Sequence, residues 1–477
     1  MMPLLRQQAV AGVLLLAAAT MATGRAWDAG DQASATARGI QTALDRYVAA
    51  PDASYAWKPM RQLPSAGATT TLLEMTSQRW LTEREVERPL WTHWLTVVRP
   101  ANVKSDVALL YITGGSLERD APARPPGWLV DVARDTGTIA AELRLVPNQP
   151  VVFTDDPARK PRTEDDFIAY TWDKYLRTGD EKWPARLPMT KSAVRAMDAV
   201  TAFAASAAGG STSVSRFVVS GASKRGWTAW ATAAVDRRVV AVVPAVIDLL
   251  NIEPSFVHHW RAYGRWSDAV DDYVQHGIMD WMGTRQFRNL MRIEEPYEYR
   301  ERLTMPKFIL NATGDEFFLP DSSQFYFDDL KGETHVRYVP NTAHSMEKSD
   351  AIESLHAFYS AIVSNTPRPA IRWRFERDGS IRVVSKERPS AVRLWQAVNP
   401  SARNFRLDVI GAAFTSTALE PAAPDTWVGR VAAPEKGWKA FFVELRFDGK
   451  GKHPLKMTSG VRVVPDTLPY PARKRTR

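Results

Sequence analysis

Three residues of this chain stand just past strand-like runs, in an order that suits nucleophilic catalysis. Ser223 lies in Arg216-Phe-Val-Val-Ser-Gly-Ala-Ser-Lys-Arg-Gly226, where an apolar run meets a small-residue corner. A helix-compatible segment, Lys224 to Val235, follows it. A sharp strand-to-helix turn of this kind lifts a serine hydroxyl above a sheet and demands small neighbours. Gly221, two before the serine, meets that demand; Arg225, two after, does not, so the motif is G-x-S-x-x-G with Gly226 as its second glycine. An ordinary turn with a serine helix cap has the same local pattern, so the weight falls on the partners.

A serine needs a base, and the base needs an acid to orient it. The chain has eight histidines. His93 and His335 fall in predicted strands, His276 in an insertion, His356 in a late helix and His453 near the C-terminus. His258 and His259 are sequence neighbours and so point apart on a helix. His344 alone sits in a loop just after the last predicted strand of the first region, in Val339-Pro-Asn-Thr-Ala-His-Ser345. The preceding strand runs into Asn311-Ala-Thr-Gly-Asp-Glu-Phe-Phe-Leu-Pro320, which puts Asp315 at a strand-loop junction. Ser223, Asp315 and His344 follow the chain order of α/β-hydrolases. Asp248, which ends the strand after the serine corner, is the rival acid; Glu316 and Asp321 are weaker rivals.

Backbone N–H donors must meet the developing oxyanion. Lys224, next after the serine, is expected to give one, and the Thr113-Gly114-Gly115-Ser116 loop the other. Lys224 and Arg225 also set two cations beside the serine, either to meet a charged substrate or to pair with Glu164-Asp-Asp166. No His/Asp/Glu cluster has metal-ligand spacing, so no metal or cofactor is expected.

These residues need a frame. Thr71 to Trp80 and Leu90 to Arg99 suggest a hairpin. Strand patterns at 106–115, 138–146, 217–219, 239–247, 307–312 and 335–339 alternate with helical ones at 164–178, 188–207 and 224–235. That alternation predicts a largely parallel sheet covered on both faces. Residues 249–305 are too long for a simple crossover and predict a cap, with Trp260, Tyr263, Trp266 and Tyr273, together with Arg225 beside the serine, as substrate-binding residues. Ile371 to about Val464 shows short alternating runs and no helical period, the pattern of a small β-sandwich. The expected division is therefore a signal segment at 1–26, an α/β-hydrolase domain at 27–366, a β-sandwich-like domain at 367–465 and a basic tail at 466–477. An N-terminal helix is expected within 33–49.

Composition sets outer bounds. The 477 residues are 45% hydrophobic and 24% charged, enough for a large core. Arg6, an apolar run at 9–19 and small residues near Ala22 form a secretory-type leader, so an exported protein, periplasmic or secreted, is expected. No stretch is long and apolar enough to span a membrane comfortably. The absence of cysteine excludes disulfides and thiol catalysis. A net charge of +9, with no basic stripe interleaved with aromatics, argues against nucleic acid and leaves attraction to anionic cell-surface material.

Gly221-Ala-Ser-Lys-Arg-Gly-Trp-Thr228, Ala233-Ala-Val-Asp236, Val246-Ile-Asp-Leu-Leu-Asn251, Pro147-Asn-Gln-Pro150, Glu164-Asp-Asp-Phe-Ile-Ala-Tyr-Thr-Trp172 and Asn311-Ala-Thr-Gly-Asp-Glu-Phe-Phe318 together resemble the PhoPQ-activated pathogenicity-related protein family. That family includes exported bacterial proteins linked to virulence and a secreted amoebal proliferation repressor. The resemblance implies an α/β-hydrolase-like fold. The Ser-Lys-Arg-Gly corner is also similar to that of glucuronoyl esterases, where a basic residue after the serine assists the oxyanion. The expectation is a serine hydrolase acting on a small-molecule, peptide or glycan-linked ester or amide. The alternative is a secreted binding or signalling protein that uses the same scaffold without chemistry.

Overall fold

The computed structural model describes residues 41–449 and 451–474, so the expected leader, residues 33–40 of the expected N-terminal helix and the last three residues lie outside the described residues. Helix α1 (Ala43–Ala49) starts at Thr42, whose side chain accepts from the Asp45 N–H while Asp45 accepts from the Thr42 N–H. This reciprocal pair satisfies two donors that a helix end leaves open.

The central sheet begins with three antiparallel strands, β1 (Ala56–Leu63), β2 (Ala68–Arg79) and β3 (Leu90–Pro100). The expected hairpin is β2–β3. Strands β4 (Val107–Ile112), β5 (Ala140–Leu143), β6 (Arg216–Ala222), β7 (Val239–Ala245), β8 (Lys307–Ala312) and β9 (Thr334–Val339) follow. The spatial order is β1-β2-β3-β5-β4-β6-β7-β8-β9, antiparallel as far as β5 and parallel from β5 to β9. This is the sheet of an α/β-hydrolase, with one further strand at its antiparallel edge.

Side chains alternate across such strands, and the two faces carry separate cores. Leu110, Phe217, Val219 and Val242 pack with α3 (Glu164–Thr178), α4 (Arg186–Ala205) and α5 (Lys224–Val235). Leu109, Val218, Ala241 and Val243 pack on the other face with α2 (Gly127–Thr136) and α9 (Ala351–Val363). Because both faces are buried, the parallel strands read as unbroken apolar runs.

Between β7 and β8 the chain forms α6 (Ile252–Tyr263), α7 (Asp271–Gln275), α8 (Arg285–Glu294) and short 3₁₀ turns, in the stretch expected to cap the sheet. After α9 come β10 (Ile371–Phe375), β11 (Ile381–Ser385), β12 (Ala391–Asn399), α10 (Leu407–Ile410), β13 (Thr415–Ala418), β14 (Pro421–Ala423), β15 (Thr426–Gly429), β16 (Trp438–Phe447), β17 (Leu455–Thr458) and β18 (Arg462–Val464). Strands β10, β11, β15 and β14 make a separate sheet. Val383 and Trp427 of that sheet share a core with Leu394, Phe441 and Val443 of β12 and β16, which gives the expected sandwich. Its second sheet is not detached: Thr458 of β17 bridges to Val336 of β9, so the hydrolase sheet runs on into the C-terminal strands.

The β6–α5 corner is the tightest joint. Ser223 adopts φ 57° and ψ −131°, a backbone region that L-residues seldom occupy. A Cβ on Gly221 would lie 2.7 Å from the Arg225 carbonyl oxygen, and one on Gly226 would lie 2.8 Å from Ile247. These two glycines carry the close approaches, and Arg225 is free to be large because its side chain leaves the corner. Gly221→Ala is expected to cost about 1–3 kcal/mol through this backbone clash, and a lowered urea midpoint would show it. Unchanged stability would mean that the corner has room to spare.

Candidate active site

The Arg225 side chain leaves through a gap that glycine keeps open. A Cβ on Gly114 would sit 2.2 Å from Arg225 Nη2. The guanidinium donates through Nε to the Val146 carbonyl at 2.6 Å and through Nη1 and Nη2 to both oxygens of Glu164 at 2.7 and 2.5 Å. Such two-pronged, charge-assisted bonds are strong and directional. Lys224 turns to the same acidic run, with Nζ 2.9 Å from Glu164 and 3.0 Å from Asp165. Burial opposes the charged form of Glu164, but the bonds and charges of Arg225 and Lys224 win and hold its carboxyl well below the usual range. The Gln149 amide completes the cluster: it donates to Glu164 and to the Gly115 carbonyl and accepts from the Glu164 N–H. Both cations beside the serine are thus spent on protein carboxylates, and Arg225, expected to touch substrate, has a structural setting.

Ser223 and Lys224 line a cavity at the α6–α8 insertion, with a volume of about 50 Å³ open to the centre of a water-sized sphere. Its walls are mostly carbon: Trp172 of α3, Trp227 of α5, Ile252 and Phe256 of α6, Phe287 of α8, and Phe317 and Phe318 after β8. The charged groups in the wall have partners within the protein. Arg186 donates to the Lys224 carbonyl at 2.7 Å and to Thr228 at 2.9 Å, and Tyr273 donates to Asp165 at 3.0 Å.

On the histidine side, Asp315 and His344 meet. The His344 ring nitrogen Nδ1 lies 3.0 and 2.9 Å from the two Asp315 oxygens. A carboxylate only accepts, so this contact puts the ring proton on Nδ1 and leaves a lone pair on Nε2. The Phe317 and Phe318 N–H groups also donate to Asp315, at 2.8 and 3.3 Å, which fixes the carboxylate. Glu316, a rival acid, instead accepts from the His344 backbone N–H at 2.8 Å and holds the loop. Nε2 is buried without a hydrogen-bond partner. The His344 ring packs on Phe317, with centroids 4.3 Å apart, and Phe317 in turn lines the cavity with Ser223.

The other expected residues divide. Gly114 and Gly115 lie against the corner through Arg225 and Gln149, and neither lines the cavity. Of the four insertion aromatics, only Tyr273 lines it. Trp260 and Trp266 meet edge to face 5.1 Å apart beneath the Arg473 guanidinium, and Tyr263 lines a second cavity with Arg403, Arg406 and Tyr470. Those three aromatics therefore serve the contact between the insertion and the C-terminal segment. Ile252 and Phe256, which do line the cavity with Ser223, stand four apart on α6; that spacing was the available signal.

Over residues 44–406 the sequence matches the PhoPQ-activated pathogenicity-related protein family. Autocrine proliferation repressor protein A of Dictyostelium discoideum is 36% identical over 460 residues, 90% of this chain and 92% of that protein. Among solved structures, an acetyl xylan esterase from Paenibacillus sp. R4 aligns with TM-score 0.47 at 15% identity, over 68% of this chain and 95% of its own. Acetyl xylan esterase 1 from a Thermoanaerobacterium aligns with TM-score 0.46 at 14% identity, over 70% and 94%.

Asp248 and Asp321 turn away from His344. Asp321 pairs with Arg403 and with His258, whose Nε2 is 3.1 Å away. Asp248 is buried and receives the hydroxyls of Tyr326 and Tyr338, each at 2.6 Å. Burial raises its carboxyl from the ordinary 3.8 to about 8, against the two tyrosine bonds and with help from the charges of Asp315 and Asp321. An unfolded chain loses this proton near the ordinary value, whereas the folded one keeps it to about pH 8. Between those pH values the unfolded state binds fewer protons, so this group makes stability fall as pH rises. Asp248→Asn should therefore gain in unfolding free energy relative to the parent between pH 5 and pH 8, by at least ~1 kcal/mol in urea titrations. A constant difference across that range would contradict the assignment.

Proposed function

The chain belongs to the PhoPQ-activated pathogenicity-related protein family, and from its site we propose an exported serine hydrolase that cleaves an ester or amide bond. One observation carries this reading. His344 is held at Nδ1 by both oxygens of Asp315, while Nε2 is left buried and unpartnered. An unsatisfied buried ring nitrogen costs stability, and a general base has a use for it.

In this reading the Ser223 hydroxyl oxygen attacks the substrate carbonyl carbon and its proton passes to His344 Nε2. Asp315 keeps the imidazole in the working tautomer and stabilises the imidazolium. The oxyanion meets the Lys224 N–H, the first of α5, which has no partner within the helix. The second donor is assigned to the Gly114–Gly115 loop, whose carbonyls are already taken by Leu145 N–H and Gln149. Collapse breaks the scissile bond, and Nε2 returns its proton to the departing oxygen or nitrogen. Water then attacks the acyl-enzyme, with His344 acting again as base, and releases the acid. Export rests on the leader-like run at 9–19.

A second reading has one observation in its favour: the amoebal relative is named for repressing proliferation. A protein that signals by binding needs no oriented histidine.

Labelling the purified chain with a fluorophosphonate probe and mapping the adduct separates the two. The expected result is modification at Ser223, abolished in Ser223→Ala and slowed about 10³- to 10⁴-fold in Asp315→Asn. A folded chain whose serine stays unlabelled, or labels at the same rate in Asp315→Asn and His344→Ala, would overturn the hydrolase reading.

A further inference from the structure

The cavity beside Ser223 bears on the substrate. Its deep wall is formed by Trp172, Trp227, Phe256, Met279, Phe287 and Phe318, all buried. The ionic groups that also reach it are engaged elsewhere. Lys224 is held by Glu164 and Asp165, Asp165 also by Tyr273, and Arg186 by the Lys224 carbonyl, Thr228 and the neighbouring Glu294 carboxylate. A ligand group entering here meets carbon surface and gains by leaving water.

Geometry selects which half of the substrate enters. Ser223 itself lines the chamber, and residues of α6, α8 and the turns between them supply much of the rest of its wall. In acyl transfer the leaving half must depart while the acyl half stays bonded to the serine. An apolar chamber with Ser223 in its own wall suits the half that stays. We infer that this protein acts on esters or amides of bulky apolar acids, of medium-chain or aromatic type, rather than on acetyl or other small polar acyl groups. The inference rests on the hydrolase reading above for its chemistry, but the chamber's preference is measurable without catalysis.

Two measurements test it together. The first compares kcat/KM for p-nitrophenyl acetate, butanoate and hexanoate. Efficiency should rise about fourfold per added methylene, the factor equivalent to ~0.8 kcal/mol of buried CH₂. Met279→Trp, which fills the chamber, should lower the hexanoate-to-acetate ratio at least tenfold. The second titrates Ser223→Ala with hexanamide and with acetamide by calorimetry, and hexanamide should bind at least tenfold more tightly. A flat or falling chain-length series with Ser223 labelled by fluorophosphonate would overturn the acyl assignment and leave the hydrolase reading standing. If no ester is turned over and no label appears, the hydrolase reading fails, and the calorimetry then decides the chamber: equal affinities overturn the inference.

Discussion

Glu164 is the joint on which the site depends. It stands at the first position of α3, and its carboxylate binds Arg225 and Lys224, the two residues that follow the strained Ser223. A positive φ at a serine persists only where the surroundings fix it. Here they do so from three sides. The Ser223 N–H donates to the Ala245 carbonyl on β7, Gly221 and Gly226 admit the close backbone, and Glu164 holds the start of α5 from outside the sheet. Gln149 links the same carboxylate to the Gly114–Gly115 loop. One acidic residue thus ties together the Ser223 corner, the helix behind it and the Gly114–Gly115 loop proposed to meet the oxyanion.

The second half of the site is built on the strand ends of β8 and β9. Asp315 is fixed by two backbone N–H groups before it meets His344, and His344 is fixed through its own N–H by Glu316. Both acids of the Asp315-Glu316 pair therefore position the same residue, one at the ring and one at the backbone. Phe317 and Phe318 join the two halves, since they pack on the His344 ring and also line the chamber beside Ser223. Asp248, which occupies the strand end between Ser223 and Asp315 in the chain, is used differently: two tyrosine hydroxyls anchor it in the core.

Much of this was legible because it is local. A strand-turn-helix corner, an aspartate after one strand and a histidine after the next each depend on a few consecutive residues, and the structure places all three at those strand ends. The acid was not decided by sequence, because Asp248 and Asp315 both end strands; contact with the ring distinguishes them. Arg225 read as a breach of the small-residue rule because the gap that receives it belongs to Gly114, far away in the chain. The insertion aromatics were unreadable for a related reason. Which face of α6 meets the sheet, and where the turn after it points, is set by what packs on them, and Trp260 and Trp266 answer to Arg473 near the C-terminus. Strand β1 was missed because its exposed, charged face, with Pro59 within it, has the composition of a loop. The fusion of the two sheets rests on one bridge between residues distant in sequence, and no local pattern announces it.

The central claim is that Ser223 forms a covalent acyl intermediate with His344 as its base. Rapid-mixing kinetics with p-nitrophenyl butanoate, combined with intact-mass and peptide mapping of quenched samples, tests it most directly. The account predicts a burst of about one p-nitrophenolate per chain and a butanoyl adduct on Ser223 that decays at the turnover rate. In His344→Ala both burst and adduct should be absent. Hydrolysis that proceeds linearly from the first turnover, with no adduct on Ser223 under conditions where deacylation is slowed, would contradict it.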